Sequence, residues 1–145
     1  MKIRQILQGK KINALFSVTS STTVYDALVE MADKNIGAVL VIDEGKLSGI
    51  FSERDYARKI VLKGRHSDDT PVSDVMTANV ITVEMEDKLE MAMQIMSEKH
   101  IRHLPVMENA ILVGIISIND VVSSIIQEQK SQIASLQGYI SGNYA

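Results

Sequence analysis

Two stretches of the chain combine residue types able to hold a polar ligand. Gly49-Ile50-Phe51-Ser52-Glu53-Arg54-Asp55 and Gly114-Ile115-Ile116-Ser117-Ile118-Asn119-Asp120 both run from an apolar strand, through Ser-x-x-Asp, into a segment patterned as a helix. A carboxylate fixed at a helix start can accept two hydrogen bonds from a vicinal diol such as the 2′,3′-hydroxyls of a ribose. The Ser hydroxyl and the unpaired amides of the first helical turn would then meet other polar groups of the same ligand. The spacing equally describes a helix cap, with Ser accepting from the N3 amide and Asp at N3 facing the positive end of the helix. A cap needs a single acceptor, whereas strand, Gly, Ser and Asp all recur together in the second stretch.

The recurrence extends beyond the two junctions. A shift of 65 residues aligns 16–62 with 81–127 without a gap and with 12 identities, among them Val18/Val83, Ala27/Ala92, Met31/Met96, Gly49/Gly114, Ser52/Ser117 and Asp55/Asp120. Function must therefore accommodate two sites. Val24, Ala27, Leu28 and Met31 recur as Leu89, Ala92, Met93 and Met96, the i, i+3, i+4, i+7 spacing of a helix with one buried face. Short apolar runs follow, Ala38 to Ile42 then Gly49 to Phe51, and Leu104 to Met107 then Val113 to Ile116, separated by polar turns at Glu44-Gly45-Lys46 and Glu108-Asn109-Ala110. Each copy thus reads as a strand hairpin closed by a helix, Glu53 to Lys63 in the first and Ile118 to about Lys130 in the second. Phe16-Ser17-Val18 and Ile81-Thr82-Val83 supply the opening strands.

The predicted class is α/β in the α+β sense, two βαββα repeats. Roughly 47 residues bury too little apolar surface to stand alone, so the copies are expected to pack sheet to sheet about a pseudo-twofold axis. The division read from the sequence is an N-terminal segment 1–15, a first repeat 16–63, a polar linker 64–80 containing Pro71, a second repeat 81–130 and a C-terminal helical tail 131–145.

Composition narrows the function. With 15 basic and 18 acidic residues and a net charge of −3, no large positive field exists to attract a nucleic-acid backbone. The absence of cysteine removes disulfide, thiolate and cysteine-zinc chemistry and suits a reducing compartment, so a cytoplasmic setting is expected. No run approaches the roughly 20 apolar residues of a membrane span. There is no nucleophile-base signature, phosphate loop or GxGxxG fingerprint, and an enzyme is not expected.

The basic residues Arg54, Arg58, Lys59, Lys63 and Arg65 read as a solvated face, and Met31, Met93 and Met96 as core filling. His100 and His103 have i, i+3 spacing, yet the chain is expected to leave its helix between them, so no metal is expected. Ile133, Leu136 and Ile140 form a stripe that should pack on the chain's own domain or on a second subunit.

The repeated GIFSERD and GIISIND, the IRHLPVM strand and the VSDVMT lead-in to the second copy resemble the CBS-domain (Bateman module) family over nearly the whole chain, most closely its stand-alone bacterial pairs. The resemblance implies that Asp55 and Asp120 hold ribose hydroxyls of an adenosyl ligand between the copies, supported by Ser52 and Ser117. It implies adenine contacts from Val18, Ala38 and Ile50 in one copy and Val83, His103 and Ile115 in the other. Arg102 and His103, just before Leu104-Pro105-Val106, would face phosphates, with Pro105 lining the same site. The first copy has Gly37 and Ala38 there, leaving Arg54 as its source of positive charge, while the twin of Arg54 is Asn119. Such asymmetry suits a mono- or triphosphate at one site and a dinucleotide such as NAD(H) at the other. The implied function is a regulatory sensor for AMP, ADP, ATP or NAD(H) that changes conformation or recognition of an unidentified protein partner, in a homodimer. The alternatives are a ligand-free interaction or structural adaptor and an S-adenosylmethionine binder.

Overall fold

Along the chain the computed structural model places α1 (Ile3–Gly9), β1 (Ser17–Val18), α2 (Val24–Lys34), β2 (Ala38–Asp43), β3 (Lys46–Ser52), α3 (Glu53–Tyr56), β4 (Val83–Glu84), α4 (Leu89–Lys99), β5 (His103–Glu108), β6 (Ile111–Ser117) and α5 (Ile118–Ile140). It describes residues 1–10 and 15–140, without the side chains of 139 and 140. Two compact units result, one of Ala14–Thr82 and one of Met1–Asn13 with Val83–Ala145.

Each unit is a three-stranded mixed sheet with helices, ordered β1-β2-β3 in one and β4-β5-β6 in the other. The short opening strand pairs parallel with the middle strand, which pairs antiparallel with the third. Helices α2 and α4 form where the apolar spacing predicts them. Thr23 caps α2 by accepting from the Asp26 amide, and both helices stop at a left-handed residue, Asn35 and His100, each at φ 54°. Both hairpins turn through two left-handed residues, Glu44 and Gly45 in the first, Asn109 and Ala110 in the second.

In the unit of Ala14–Thr82 the core gathers Val24, Ala27 and Met31 from α2, Val39 and Val41 from β2, fully buried Phe51 from β3, and Ile60. Val72 and Val75, from within the linker, complete it. The other unit buries Leu89, Ala92 and Met96 of α4, Val83, Leu104, Val106 and Ile116 of the sheet and Val121 of α5, together with Ile3, Ile6 and Leu7 of α1.

The segment ahead of each repeat therefore packs in the unit of the other repeat, and both do so in the same manner. Lys2 bridges to Lys88 just before α4, and Pro71 bridges to Thr23 just before α2. Leu7 then lies over Gly114, and Met76 over Gly49. Both glycines are needed for close approach, since a Cβ at Gly49 would sit 2.6 Å from Met76 Sδ and 2.8 Å from the Thr77 carbonyl oxygen. The stretch 64–80 is thus packed chain over Val72 to Thr77, with Ile50 and Thr77 exchanging both backbone hydrogen bonds at 3.0 and 2.9 Å.

Three expectations are corrected. Met93 is 40% exposed, because Leu89, Ala92 and Met96 alone face the sheet and Met93 lies at the edge of the stripe. The first closing helix is α only to Tyr56 and continues as a π-helical turn over Ala57–Val61, with the Leu62 amide donating to the Ala57 carbonyl. The basic group after Ser52 is not wholly a solvated face: Lys59 is paired with Asp55 and Arg65 with Asp74. Helix α5 runs unbroken to Ile140, and Ile133 and Leu136 are 54% and 62% exposed, so of the two covers expected for their stripe it is not their own unit. The side chain of Ile140 lies outside the described residues.

Candidate functional site

Strand pairing brings the predicted residues of each copy to one sheet end. In the first, Ala38 opens β2 directly opposite Ser52, the last residue of β3, and Ile50 stands opposite Leu40. In the second, His103 opens β5 opposite Ser117, and Pro105 is opposite Ile115. The residue before each middle strand is fastened to the helix start: Glu53 donates its amide to the Gly37 carbonyl at 3.0 Å, and Ile118 donates to the Arg102 carbonyl at 2.8 Å. Arg102 is exposed and His103 half-buried, while Arg54 is half-buried on α3. Val18 and Val83 sit in the parallel strands beside Val41 and Val106, three residues in from Ala38 and His103, where β2 and β5 begin. Val83, Ala38 and Pro105 have buried side chains, so mainly their backbone is left to meet a ligand.

Both junctions form a reciprocal capping box. The Asp55 amide donates to Ser52 Oγ at 3.2 Å, and the Ser52 amide donates to Asp55 Oδ2 at 3.0 Å. The Asp120 amide donates to Ser117 Oγ at 3.1 Å, and the Ser117 amide to Asp120 Oδ2 at 2.8 Å. Two helix-start donors are satisfied each time, and the carboxylate is fixed in direction by backbone.

The remaining partners differ. Asp55 also accepts from Ser52 Oγ at 3.1 Å on Oδ2, and its Oδ1 receives Lys59 Nζ at 2.9 Å and Thr77 Oγ1 at 3.4 Å. With about four acceptor positions on a carboxylate, Asp55 is filled. Its side chain is only 11% exposed, against 23% for Asp120. Asp120 has Lys10 Nζ at 3.0 Å on the same Oδ2 that accepts from the Ser117 amide.

Lys10, Lys59 and Thr77 were missing from the sequence-derived site. Lys59 was within reach of inference, since i, i+4 places it over Asp55. Lys10 and Thr77 arrive from the swapped lead-in segments, for which no local spacing gives a signal. The two histidines separate, His100 ending α4 and His103 beginning β5. Among the described residues no three His, Asp or Glu side chains gather as metal ligands, and no helix is long and apolar enough to cross a membrane.

At the opposite, turn end of each sheet the charges are structural. Asp43 accepts from the Ser20 amide at 3.0 Å and from the Ser20 and Ser48 hydroxyls, and these bonds, those of Ser20 foremost, hold its carboxyl below the usual range. In the other unit Arg4 bridges Glu86 and Glu108, and Lys2 also pairs with Glu86; Lys2 first and Arg4 second hold Glu86 below its usual range.

The family model of the CBS domain matches residues 11–62 and 72–127. The mitochondrial CBS domain-containing protein CBSX3 of Arabidopsis thaliana is 43% identical over 131 residues, covering 87% of this chain, which spans 64% of the length of that relative. A protein with CBS domains from Burkholderia ambifaria superposes with a TM-score of 0.86 at 44% identity, covering 89% of this chain and 96% of its own. A CBS domain protein from Pyrobaculum aerophilum complexed with AMP matches with a TM-score of 0.72 at 25% identity, covering 83% of this chain and 89% of its own.

Proposed function

The chain belongs to the CBS-domain family, and we propose that it is a non-catalytic adenine-nucleotide sensor whose principal site is the Ser117–Asp120 junction. One observation carries the choice of junction. Asp120 is the more exposed carboxylate, 23% against 11%, and holds the Ser117 amide and Lys10 on one oxygen, whereas Asp55 holds Lys59 and Thr77 on one oxygen and the Ser52 amide and hydroxyl on the other. Arg102 and His103 stand beside the second junction, where phosphates gain from positive charge. The first copy has Gly37 and Ala38 at those positions, with Arg54 nearby and Lys59 already paired with Asp55. The AMP held by the Pyrobaculum relative supports an adenine nucleotide as the ligand class. AMP, ADP, ATP and NAD(H) are the proposed candidates, with S-adenosylmethionine as the cationic alternative.

Output follows from differential affinity: a ligand shifts the protein toward whichever arrangement it binds better. We place that output on a homodimer and a further protein partner in the cytoplasm. The exposed Met91, Met93, Val122, Ile126, Ile133 and Leu136 of α4 and α5 support self-association, since apolar side chains in such number on two helices mark contact surfaces.

Calorimetry with the five candidate ligands tests the proposal. At least one is expected to bind below millimolar concentration, and Asp120→Asn is expected to weaken it tenfold or more while Asp55→Asn has a smaller effect. Absence of sub-millimolar binding by all five would refute the sensor reading.

A further inference from the structure

Lys10 closes α1 and reaches back over the second junction, where its ammonium donates to the Ile115 carbonyl at 2.8 Å and lies 3.0 Å from Asp120 Oδ2. The rest of the N-terminal segment is held independently. Ile3, Ile6 and Leu7 are buried, the Ile3 and Arg4 amides donate to the Asp87 and Met85 carbonyls, and Lys2 and Arg4 pair with Glu86 and Glu108. Lys10 is therefore the attachment of the end of α1 alone, just before the chain passes from this unit into the one beginning at Ala14.

Oδ2 of Asp120 has two acceptor positions, taken by the Ser117 amide and by Lys10. The amide belongs to the cap and cannot leave without unwinding the start of α5. A diol spanning both carboxylate oxygens must therefore take the position of Lys10. In the first copy the cation on Asp55 is Lys59, whose ammonium also donates to the Val75 carbonyl of the lead-in at 2.9 Å; there the cation belongs to the closing helix, and in the second copy it belongs to the lead-in itself.

We infer that Lys10 is a tethered competitor for the ligand of the second junction, so that ligand binding at Asp120 detaches the end of α1. The inference rests on the nucleotide reading and adds its regulation: occupancy at one carboxylate is converted into release of the end of α1. An internal competitor also sets the ligand concentration at which the site responds, because part of the binding energy goes into displacing it.

The test compares the full chain with Lys10→Met, using AMP and adenosine as probes. Adenosine carries the diol without the phosphate charge, so its affinity isolates competition from loss of a nearby cation. Adenosine is expected to bind Lys10→Met about tenfold more tightly, equivalent to about 1.4 kcal/mol, and AMP to gain less. In the unsubstituted chain, saturating AMP should raise hydrogen exchange of the Lys10 amide, which is bonded to the Leu7 carbonyl at 3.2 Å, by about tenfold. In Lys10→Met the corresponding amide should exchange fast with or without AMP. Equal or weaker adenosine binding by Lys10→Met, or a Lys10 amide indifferent to bound AMP, would overturn the inference and leave the nucleotide reading standing. Failure of both proteins to bind either probe would overturn both.

Discussion

Gly49 and Gly114 occupy equivalent places in the two sheets, yet replacing each with alanine should have unequal consequences. A Cβ on Gly49 meets Met76 Sδ at 2.6 Å, the Thr77 carbonyl oxygen at 2.8 Å and Met76 Cγ at 3.0 Å, against the 3.5–4.0 Å or so of an ordinary carbon contact. The methionine can swing away, but the carbonyl cannot, because Thr77 is tied to Ile50 by two backbone hydrogen bonds. The segment would have to retreat by about 1 Å, weakening both bonds, each worth about 1 kcal/mol net, besides the packing of Met76. Gly49→Ala should therefore destabilise by about 2–3 kcal/mol, within the usual range for overpacking. At Gly114 the new methyl meets only the tip of Leu7, with Cδ2 and Cδ1 at 2.9 and 3.0 Å. A rotamer adjustment there costs about 0.5–1.5 kcal/mol. Urea unfolding of the two variants, followed by circular dichroism, should place Gly49→Ala below Gly114→Ala by about 1–2 kcal/mol. Equal midpoints, or the reverse order, would show that the lead-in segments are not held as described.

Two further outcomes are expected. Ala110 sits at φ 64°, where its twin Gly45 sits at φ 77°; a left-handed non-glycine costs about 1–2 kcal/mol and glycine returns about 0.5–1 in chain entropy, so Ala110→Gly should stabilise the chain by roughly 0.5–1 kcal/mol, and an unchanged or lowered urea midpoint would contradict this. Asp43 is more acidic in the folded chain than its ordinary value of about 3.9, so its contribution is complete above that value and is lost as pH falls through the lower folded value. Urea midpoints from pH 7 down to pH 2.5 should therefore show the gap between the unsubstituted chain and Asp43→Asn narrowing below about pH 4, and a gap that stays constant would remove Asp43 from acid unfolding.

What could be read in the sequence was whatever repeats at one offset with local periodicity. The α2 and α4 stripes, the hairpins and their turns, and the pairing of Ser with Asp were all of this kind. The lead-in segments were not, since Ile3, Ile6 and Leu7 correspond to Val72, Val75 and Met76 without identity and at a different offset from the rest. Their elements are also too short for periodicity to register: α1 has seven residues, and its counterpart is a three-residue 3-10 turn. Because each pairs with the distant repeat, its partners lie beyond any window of local pattern. That is also why Lys10 and Thr77 escaped notice as neighbours of the two carboxylates. Met93 failed for another reason: a stripe of 89, 92, 93 and 96 has an edge, and the sheet covers only the middle of it.

Capping and ligand binding looked like rival roles for Ser-x-x-Asp in the sequence, but the geometry leaves them compatible. In both copies the backbone amide of Ser fixes one carboxylate oxygen, and that bond points the acid rather than exhausting it. What differs between the two acids is their remaining partners, Lys59 and the Thr77 hydroxyl in one copy and Lys10 in the other. Asparagine at either position keeps an acceptor for the Ser amide, so a loss of about 1 kcal/mol in stability follows from either role and cannot separate them. Affinity can: an acid serving only as a cap leaves adenosine binding unaltered when it is replaced, whereas an acid that also grips a diol does not. The comparison of Asp55→Asn with Asp120→Asn therefore reads function through the difference between two sites that share one backbone and diverge in the charges brought to them.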